Sequence, residues 1–177
     1  MPDATHPSTH KAALEADLAR IAHQEATLLL PHFDNQTAWQ LGSTLHDLAI
    51  ARSYNIVIDI RRFGTPHQPL FYAALPNTTP DNPRWVLRKT NVVARFHKSS
   101  YAIGLTLELN NRHFAERYNL PDEDYAAHGG CFPLRVAAAG LIGAITISGL
   151  TQREDHNLAV EALCLHLNLD YPTLKLL

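Results

Sequence analysis

The chain has 177 residues, of which 46% are hydrophobic and 18% charged, and its formal net charge at pH 7 is −2. This composition predicts one soluble globular domain with its own core, and it excludes a disordered or collagen-like chain. A charge so close to neutral argues against nucleic acid as a partner.

The sequence gives no sign of a membrane or secretory protein. The most apolar window, residues 136–147, is too short to span a bilayer, so we expect no membrane partner. The N-terminus shows no basic segment followed by an apolar run, which favours a cytoplasmic location. Cys131 and Cys164 lie in apolar segments without CxxC spacing, and we expect two buried, reduced thiols.

The N-terminal third is predicted to be helical. Residues 1–8 contain two prolines and small polar residues and are predicted to form a disordered tail before a single domain over residues 9–177. Apolar residues at helical spacing predict a helix over residues 9–30, which Pro31 ends. A second helix is expected over residues 35–53.

Two strands and a third helix follow. Alternating side chains predict strands over residues 54–61 and 68–75, and their short connection favours an antiparallel hairpin. Asn82 and Pro83 are typical of an N-cap and the first helical position, so a third helix is predicted from Pro83 to about residue 98. Residues 99–110 fit either a strand or a continued helix.

The C-terminal part is predicted as strand, turn, strand and helix. Strands are expected over residues 131–136 and 141–150, with a turn at Ala139-Gly140. Thr151 and Glu154 have the spacing of a capping box, which predicts a helix over residues 152–167. Polar side chains at such a strand–helix junction often build a site, although capping alone is the more common role.

The third helix carries an uneven charge. No acidic residue occurs between Asp81 and Glu108, and five cations fall in this stretch: Arg84, Arg88, Lys89, Arg95 and Lys98. One interpretation is a site for an anion such as a carboxylate, a phosphate or the propionates of haem. The other, slightly favoured, is a solvated or inter-subunit face paired with acidic groups elsewhere.

Three of the eleven histidines are candidates for one cleft, namely His97, His128 and His156, which flank the basic helix and the paired strands. Neutral imidazole is a good ligand for haem or a transition metal. For each histidine alone, a structural role is the more common one. His113 and Glu116 lie one helical turn apart, but a lone HxxE is frequent by chance, and we expect no metal site.

Several segments together resemble one known family. HGGCFPLRV, GLIGAITISGL and EDH resemble the haem-degrading-domain family (GlcG/HbpS-like), and within it the uncharacterised UPF0303 group. Trp85-x-x-Arg88-Lys89, Phe96 and Ser99-Ser100 fit the same pattern, and the resemblance covers about residues 14–168. The chain lacks the ExxE pair associated with iron binding in the haem-binding relatives.

The resemblance implies an α/β (α+β) fold of the profilin-like three-layer α/β/α kind, with a central antiparallel sheet and a helix over residues 99–110. It also implies a homo-oligomer. It specifies chemistry poorly, so no cofactor is assigned, and haem is one candidate.

Three hypotheses result. The first is a domain that binds a small anionic ligand such as haem in a cleft lined by the basic helix, through Arg88, Lys89, His97, His128 and His156. The second is a non-catalytic oligomeric interaction or scaffold protein. The third is an enzyme that uses His128 or His156 as a general base.

Overall fold

The computed structural model describes residues 7–177, so residues 1–6, most of the predicted tail, lie outside the described part. Helices and strands alternate along the chain in this order: α1 (Pro7–Thr27), β1 (Leu29–Leu30), α2 (Asn35–Ala51), β2 (Val57–Arg62), β3 (Gln68–Ala74), α3 (Asp81–Phe96), α4 (Ser100–Leu109), α5 (Phe114–Tyr118), β4 (Cys131–Val136), β5 (Gly140–Ser148), α6 (Gln152–Leu167) and α7 (Tyr171–Leu174). No helix within this described range is both long and apolar enough to cross a bilayer.

The five strands form one sheet in the order β1-β4-β5-β2-β3. Three of its strand pairs are antiparallel, and the two-residue β1 pairs with β4 in parallel. The predicted α/β fold with a central sheet is therefore confirmed, and the sheet is mixed at one edge. Sequence reasoning missed β1 because its leucines continue the apolar pattern of α1.

The sheet has one apolar and one partly polar face. Ile58, Ile60, Ile145 and Ile147 belong to the main hydrophobic cluster with α2 and α6. The side chains that alternate with them face α3 on the opposite side, and there Asp59 is paired with Thr146 and Thr146 with Cys131 across neighbouring strands. The layer below α3 therefore contains polar side chains.

Gly42 allows α2 to lie close to β3. A Cβ atom at this position would be only 2.2 Å from the Phe71 ring, so any larger residue would push the helix from the sheet. The sequence showed only that this glycine weakens a helix. The structure gives the packing reason for it.

Local signals predicted several elements well. The strand over residues 131–136 and the helix over residues 152–167 have the predicted bounds, and the Thr151–Glu154 capping box is present. The ambiguous segment is the helix α4, which Ser99 caps by accepting from the Ala102 amide. The start of α3 differs from the prediction, because Pro80 is its N-cap and the Asn82 side chain instead accepts from the Thr79 amide.

Candidate functional site

The candidate site lies where β5 ends and α6 begins. Gly149 and Gly130 both have positive φ, at 154° and 121°. A Cβ atom on Gly130 would lie 2.3 Å from the Ile147 carbonyl oxygen and 2.7 Å from the Lys89 Nζ atom. Gly130 is therefore required for the Lys89 side chain to reach the end of β5.

Lys89 and Asp155 form a buried ion pair at this junction. The Nζ atom of Lys89 donates to the Asp155 carboxylate and to the Ile147 carbonyl, both at 2.9 Å. The other carboxylate oxygen of Asp155 accepts from the Leu150 amide at 3.0 Å. Lys89 is 4% exposed and Asp155 2%. Burial raises the pKa of Asp155, and the Lys89 ammonium and backbone amides oppose that shift.

A second group of buried polar side chains lies between α3 and the sheet. The hydroxyl oxygens of Thr90 and Thr146 are 2.9 Å apart, and the Thr146 hydroxyl is 3.0 Å from the Cys131 sulfur. Burial raises the pKa of the Cys131 thiol to about 12, so the thiol stays protonated at neutral pH. Cys131 and Cys164 are both buried, as predicted, and both are free thiols in the structure.

His128 stands beside this junction and is exposed at the surface. Its ring meets Trp85 edge-on at 5.1 Å, and the Arg88 guanidinium lies over the same indole at 4.5 Å. Although His128 is exposed, the protein around it partly shields the ring from water, and this shielding together with the charges of Lys89 and Arg88 lowers its pKa, so the ring is neutral at pH 7. Within residues 7–177 its ring nitrogens have no hydrogen-bond partner.

Two cavities meet at His128 and Gln152. The larger, here called the anion cleft, has a volume of about 530 Å³, and the smaller, the junction cavity, about 280 Å³. Residues that line the anion cleft include Arg88, Arg112, His113, Tyr125, His128 and Gln152. Those that line the junction cavity include Trp85, Lys89, His128, Ser148, Gln152 and Asp155.

The structure brings together three of the five residues that the sequence suggested. Arg88 and His128 line the anion cleft, and Lys89 and His128 line the junction cavity. His97 is instead the left-handed C-cap of α3, with a φ of 57°, and its carbonyl accepts from Arg135. His156 is fully buried in the core.

His156 has a structural environment. Its Nε2 atom is 2.8 Å from the Gln24 side-chain oxygen, and its ring lies between Tyr101 and Phe132 at 5.5 and 5.6 Å. Gln24 uses its amide nitrogen to bind the Leu174 carbonyl, so its oxygen must accept from a protonated Nε2. Burial lowers the pKa of His156 to about 3 and keeps the ring neutral.

Sequence reasoning missed some lining residues. Asp155 stood at the recognised junction, but no sequence signal paired it with Lys89, which is 66 positions away. Ser148 and Arg112 carried no motif at all. Within the described part of the chain, no three His, Cys, Asp or Glu side chains are placed to hold a metal ion.

These features define a three-layer α/β domain with a cavity on each side of His128, whose ring has no hydrogen-bond partner among residues 7–177. A family model described as haem degrading protein HbpS-like matches residues 33–164. The chain belongs to this HbpS-like family. A UPF0303 protein of Acidobacterium capsulatum is 57% identical over 164 residues, which cover 93% of this chain and 98% of that protein.

Solved structures share the fold. The crystal structure of the Ybr137w protein has a TM-score of 0.78 at 27% identity and covers 85% of this chain and 87% of that one. The structure of a PduOC:haem complex has a TM-score of 0.63 at 15% identity and covers 75% of this chain and 93% of that one. At this lower identity the likeness concerns the fold alone.

Proposed function

We propose that the protein binds a small anionic ligand, with haem as the first candidate, in the anion cleft. The observation that carries the proposal is the position of His128, whose imidazole has no hydrogen-bond partner among the described residues and shares this cleft with Arg88 and Arg112. A neutral imidazole is a suitable ligand for haem iron, and guanidinium groups bind carboxylates bidentately.

The charges of the cleft are available to a ligand. Among the described residues, neither Arg88 nor Arg112 forms an ion pair with a carboxylate. Two acidic residues, Glu108 and Asp122, also line the cleft, and Glu108 lies 3.0 Å from the His10 ring. The volume of about 530 Å³ falls within the usual range for ligand sites, roughly 300–1,000 Å³.

The comparisons support haem as the first compound to test. The family is described as haem degrading, and one protein of similar fold, PduOC, has been solved as a haem complex. Haem would be held by His128 at its iron and by Arg88 and Arg112 at its propionates. Bound haem would supply iron-centred redox or ligand-binding chemistry. The residues present fit this group in type and charge.

Of the five suggested ligand-binding residues, the proposal keeps Arg88 and His128 in the anion cleft. It places Lys89 in the adjoining junction cavity. It assigns His97 to the end of α3 and His156 to the core. A general base, if the protein is an enzyme, would then be His128, because a substrate has no access to the fully buried His156 ring.

A haem titration followed by absorbance tests the proposal. We expect a saturable shift of the Soret band at about one haem per subunit, lost in His128→Ala and weakened in Arg112→Ala. His46→Ala, which removes an exposed imidazole from α2, should behave as wild type. An unsaturable shift, or one unaffected by His128→Ala, would refute the proposal.

A second candidate function is a homo-oligomeric interaction protein, which the free edge of β3 favours. The Leu75 amide donates to the Ile56 carbonyl, so the backbone groups of alternate β3 residues bond to β2. The backbone N–H and C=O groups of Tyr72 and Ala74 therefore point to the unpaired edge. The strand has no charged residue, and Tyr72 is 50% exposed. Such an edge pairs readily with another strand.

Light scattering after size exclusion tests this second candidate. We expect a dimer or larger assembly that Tyr72→Lys dissociates, whereas Gln36→Lys, an equal charge at an exposed site on α2, leaves it intact. A monomeric wild-type protein would exclude this function. The two buried free thiols support the cytoplasmic location that accompanies both proposals.

A further inference from the structure

The floor of the junction cavity presents two hydrogen-bond donors, one on Lys89 and one on Ser148, that no residue in the described part of the chain accepts from. A lysine ammonium has three N–H groups, and Lys89 uses two of them, for Ile147 and Asp155. The Ser148 hydroxyl has no hydrogen-bond partner in the described part of the chain. Both residues are only 4% exposed, and both line the cavity.

Unused donors on the lining of a cavity are available to an acceptor. The Ser148 hydroxyl is not among the fully buried side-chain atoms without a partner, so it reaches the cavity, where a ligand can replace water as its partner. A carboxylate could accept from both donors, because it has two oxygens and each takes more than one hydrogen bond. The floor therefore favours a ligand that ends in a carboxylate.

The charges limit how many acidic groups the ligand carries. Asp155 already balances the charge of Lys89, so the floor is close to neutral. Asp81 lies on the cavity lining, where its carboxylate accepts from the Trp85 indole at 2.8 Å. A second negative charge on the ligand would face Asp81 without a new cation to bind. A monoanion is therefore preferred over a dianion.

The residues that line the walls of the junction cavity favour a ligand with a planar, apolar body. Trp85 and Leu150 line the cavity together with Gly149, whose missing side chain leaves its backbone exposed to the ligand. A volume of about 280 Å³ suits a compound the size of benzoate and is far smaller than the anion cleft. Aromatic walls stack on planar molecules.

We propose that the junction cavity is a second binding site, which takes a small planar monocarboxylate. The carboxylate accepts from the Lys89 ammonium and the Ser148 hydroxyl, and the planar body lies against Trp85. Neither Lys89 nor Ser148 lines the anion cleft, so the groups that bind the carboxylate differ from those that bind haem, and the two sites adjoin at His128 and Gln152.

The tryptophan content offers a direct probe. The sequence has two tryptophans, so Trp39→Phe leaves Trp85 as the only indole, placed in the wall of the junction cavity. In this background we expect benzoate to change the fluorescence saturably, and benzamide, its uncharged analogue, to bind more weakly. Ser148→Ala should weaken benzoate roughly two- to twelvefold, which corresponds to the loss of one hydrogen bond.

Two further variants separate charge from folding effects. Lys89→Gln combined with Asp155→Asn removes both charges together, and it should abolish the preference for benzoate over benzamide. Arg95→Ala removes a cation from the last turn of the same helix and should leave benzoate affinity unchanged. If the double variant does not fold, Ser148→Ala decides alone, because it leaves the ion pair intact.

Three results would overturn the inference. The first is benzoate affinity that Ser148→Ala leaves unchanged. The second is affinity lost in Arg112→Ala, which would place benzoate in the anion cleft. The third is a fluorescence change that does not saturate. Since haem binding is read by absorbance and depends on His128 and Arg112, failure of one proposal is distinguishable from failure of the other.

Discussion

Replacing His156 with glutamine should make the protein less sensitive to acid. Glutamine retains a donor for the Gln24 oxygen but has no titratable group. In the wild type, protonation would place a charge in the core and a new N–H at Nδ1, which has no partner there. The folded state therefore resists a proton that the unfolded chain accepts readily.

The pKa shift sets the size of the effect. Burial lowers the pKa of His156 from an ordinary value of 6.5 to about 3. Because the folded pKa is the lower one, the unfolded state binds more protons below pH 6.5, and stability falls as the pH falls. The loss from this one group is about 2 kcal/mol at pH 5 and approaches about 5 kcal/mol below pH 3.

Two carboxyl groups change the free energy of unfolding in the opposite direction as the pH falls. Burial raises the pKa of Asp59 and of Glu25, so these carboxyls favour the folded state as the pH falls. The total pH dependence is therefore a sum, and only the difference between wild type and His156→Gln isolates the histidine. Both proteins share the carboxyls, whose contribution cancels in that difference.

Urea unfolding followed by circular dichroism at pH 7.5 and pH 5.0 measures this difference. Between these two values, wild type should lose about 2 kcal/mol more unfolding free energy than His156→Gln. His23→Gln, at an exposed position on α1, should follow the wild-type curve. Equal losses in wild type and His156→Gln would refute the assignment of a neutral, buried His156.

Two further predictions concern the local features that position the site. Thr151→Ala removes the side chain that accepts from the Glu154 amide and should lower the free energy of unfolding by about 1 kcal/mol, measured in urea. Unchanged stability would show that the capping box contributes nothing. Gly130→Ala should destabilise more than Gly140→Ala, because both have positive φ but only Gly130 would clash, with the Ile147 carbonyl. Equal melting temperatures for these two variants would contradict the clash.

The elements that sequence reasoning located best are those with local signals. The capping box at Thr151 and the glycines before β4 involve neighbouring residues, so their hydrogen bonds and turns depend little on the rest of the fold. The strand β1 has only two residues and is defined by its pairing with β4. Such a long-range contact leaves no periodic pattern in the sequence.

The candidate site also combines features with local sequence signals and contacts that depend on the tertiary fold. The sequence placed Lys89 on a basic helix and left two interpretations open, a ligand-binding cation or a solvated or inter-subunit face paired with acidic groups elsewhere. In the fold, Asp155 neutralises Lys89 at 2.9 Å. Adjacent residues on a helix point about 100° apart, which is why Arg88 and Lys89 line different cavities.

Sequence patterns were enough to establish the family, the layered α/β class, the capped helix α6 and the histidines worth attention. Which of those histidines can meet a ligand depends on the tertiary fold. His128 and His156 both lie close in sequence to polar residues of the strand–helix junction, yet one faces two cavities and the other is fully buried. The physical reason is that burial and pKa depend on elements far apart in the chain, here α1 and β4, which only folding brings against the His156 imidazole.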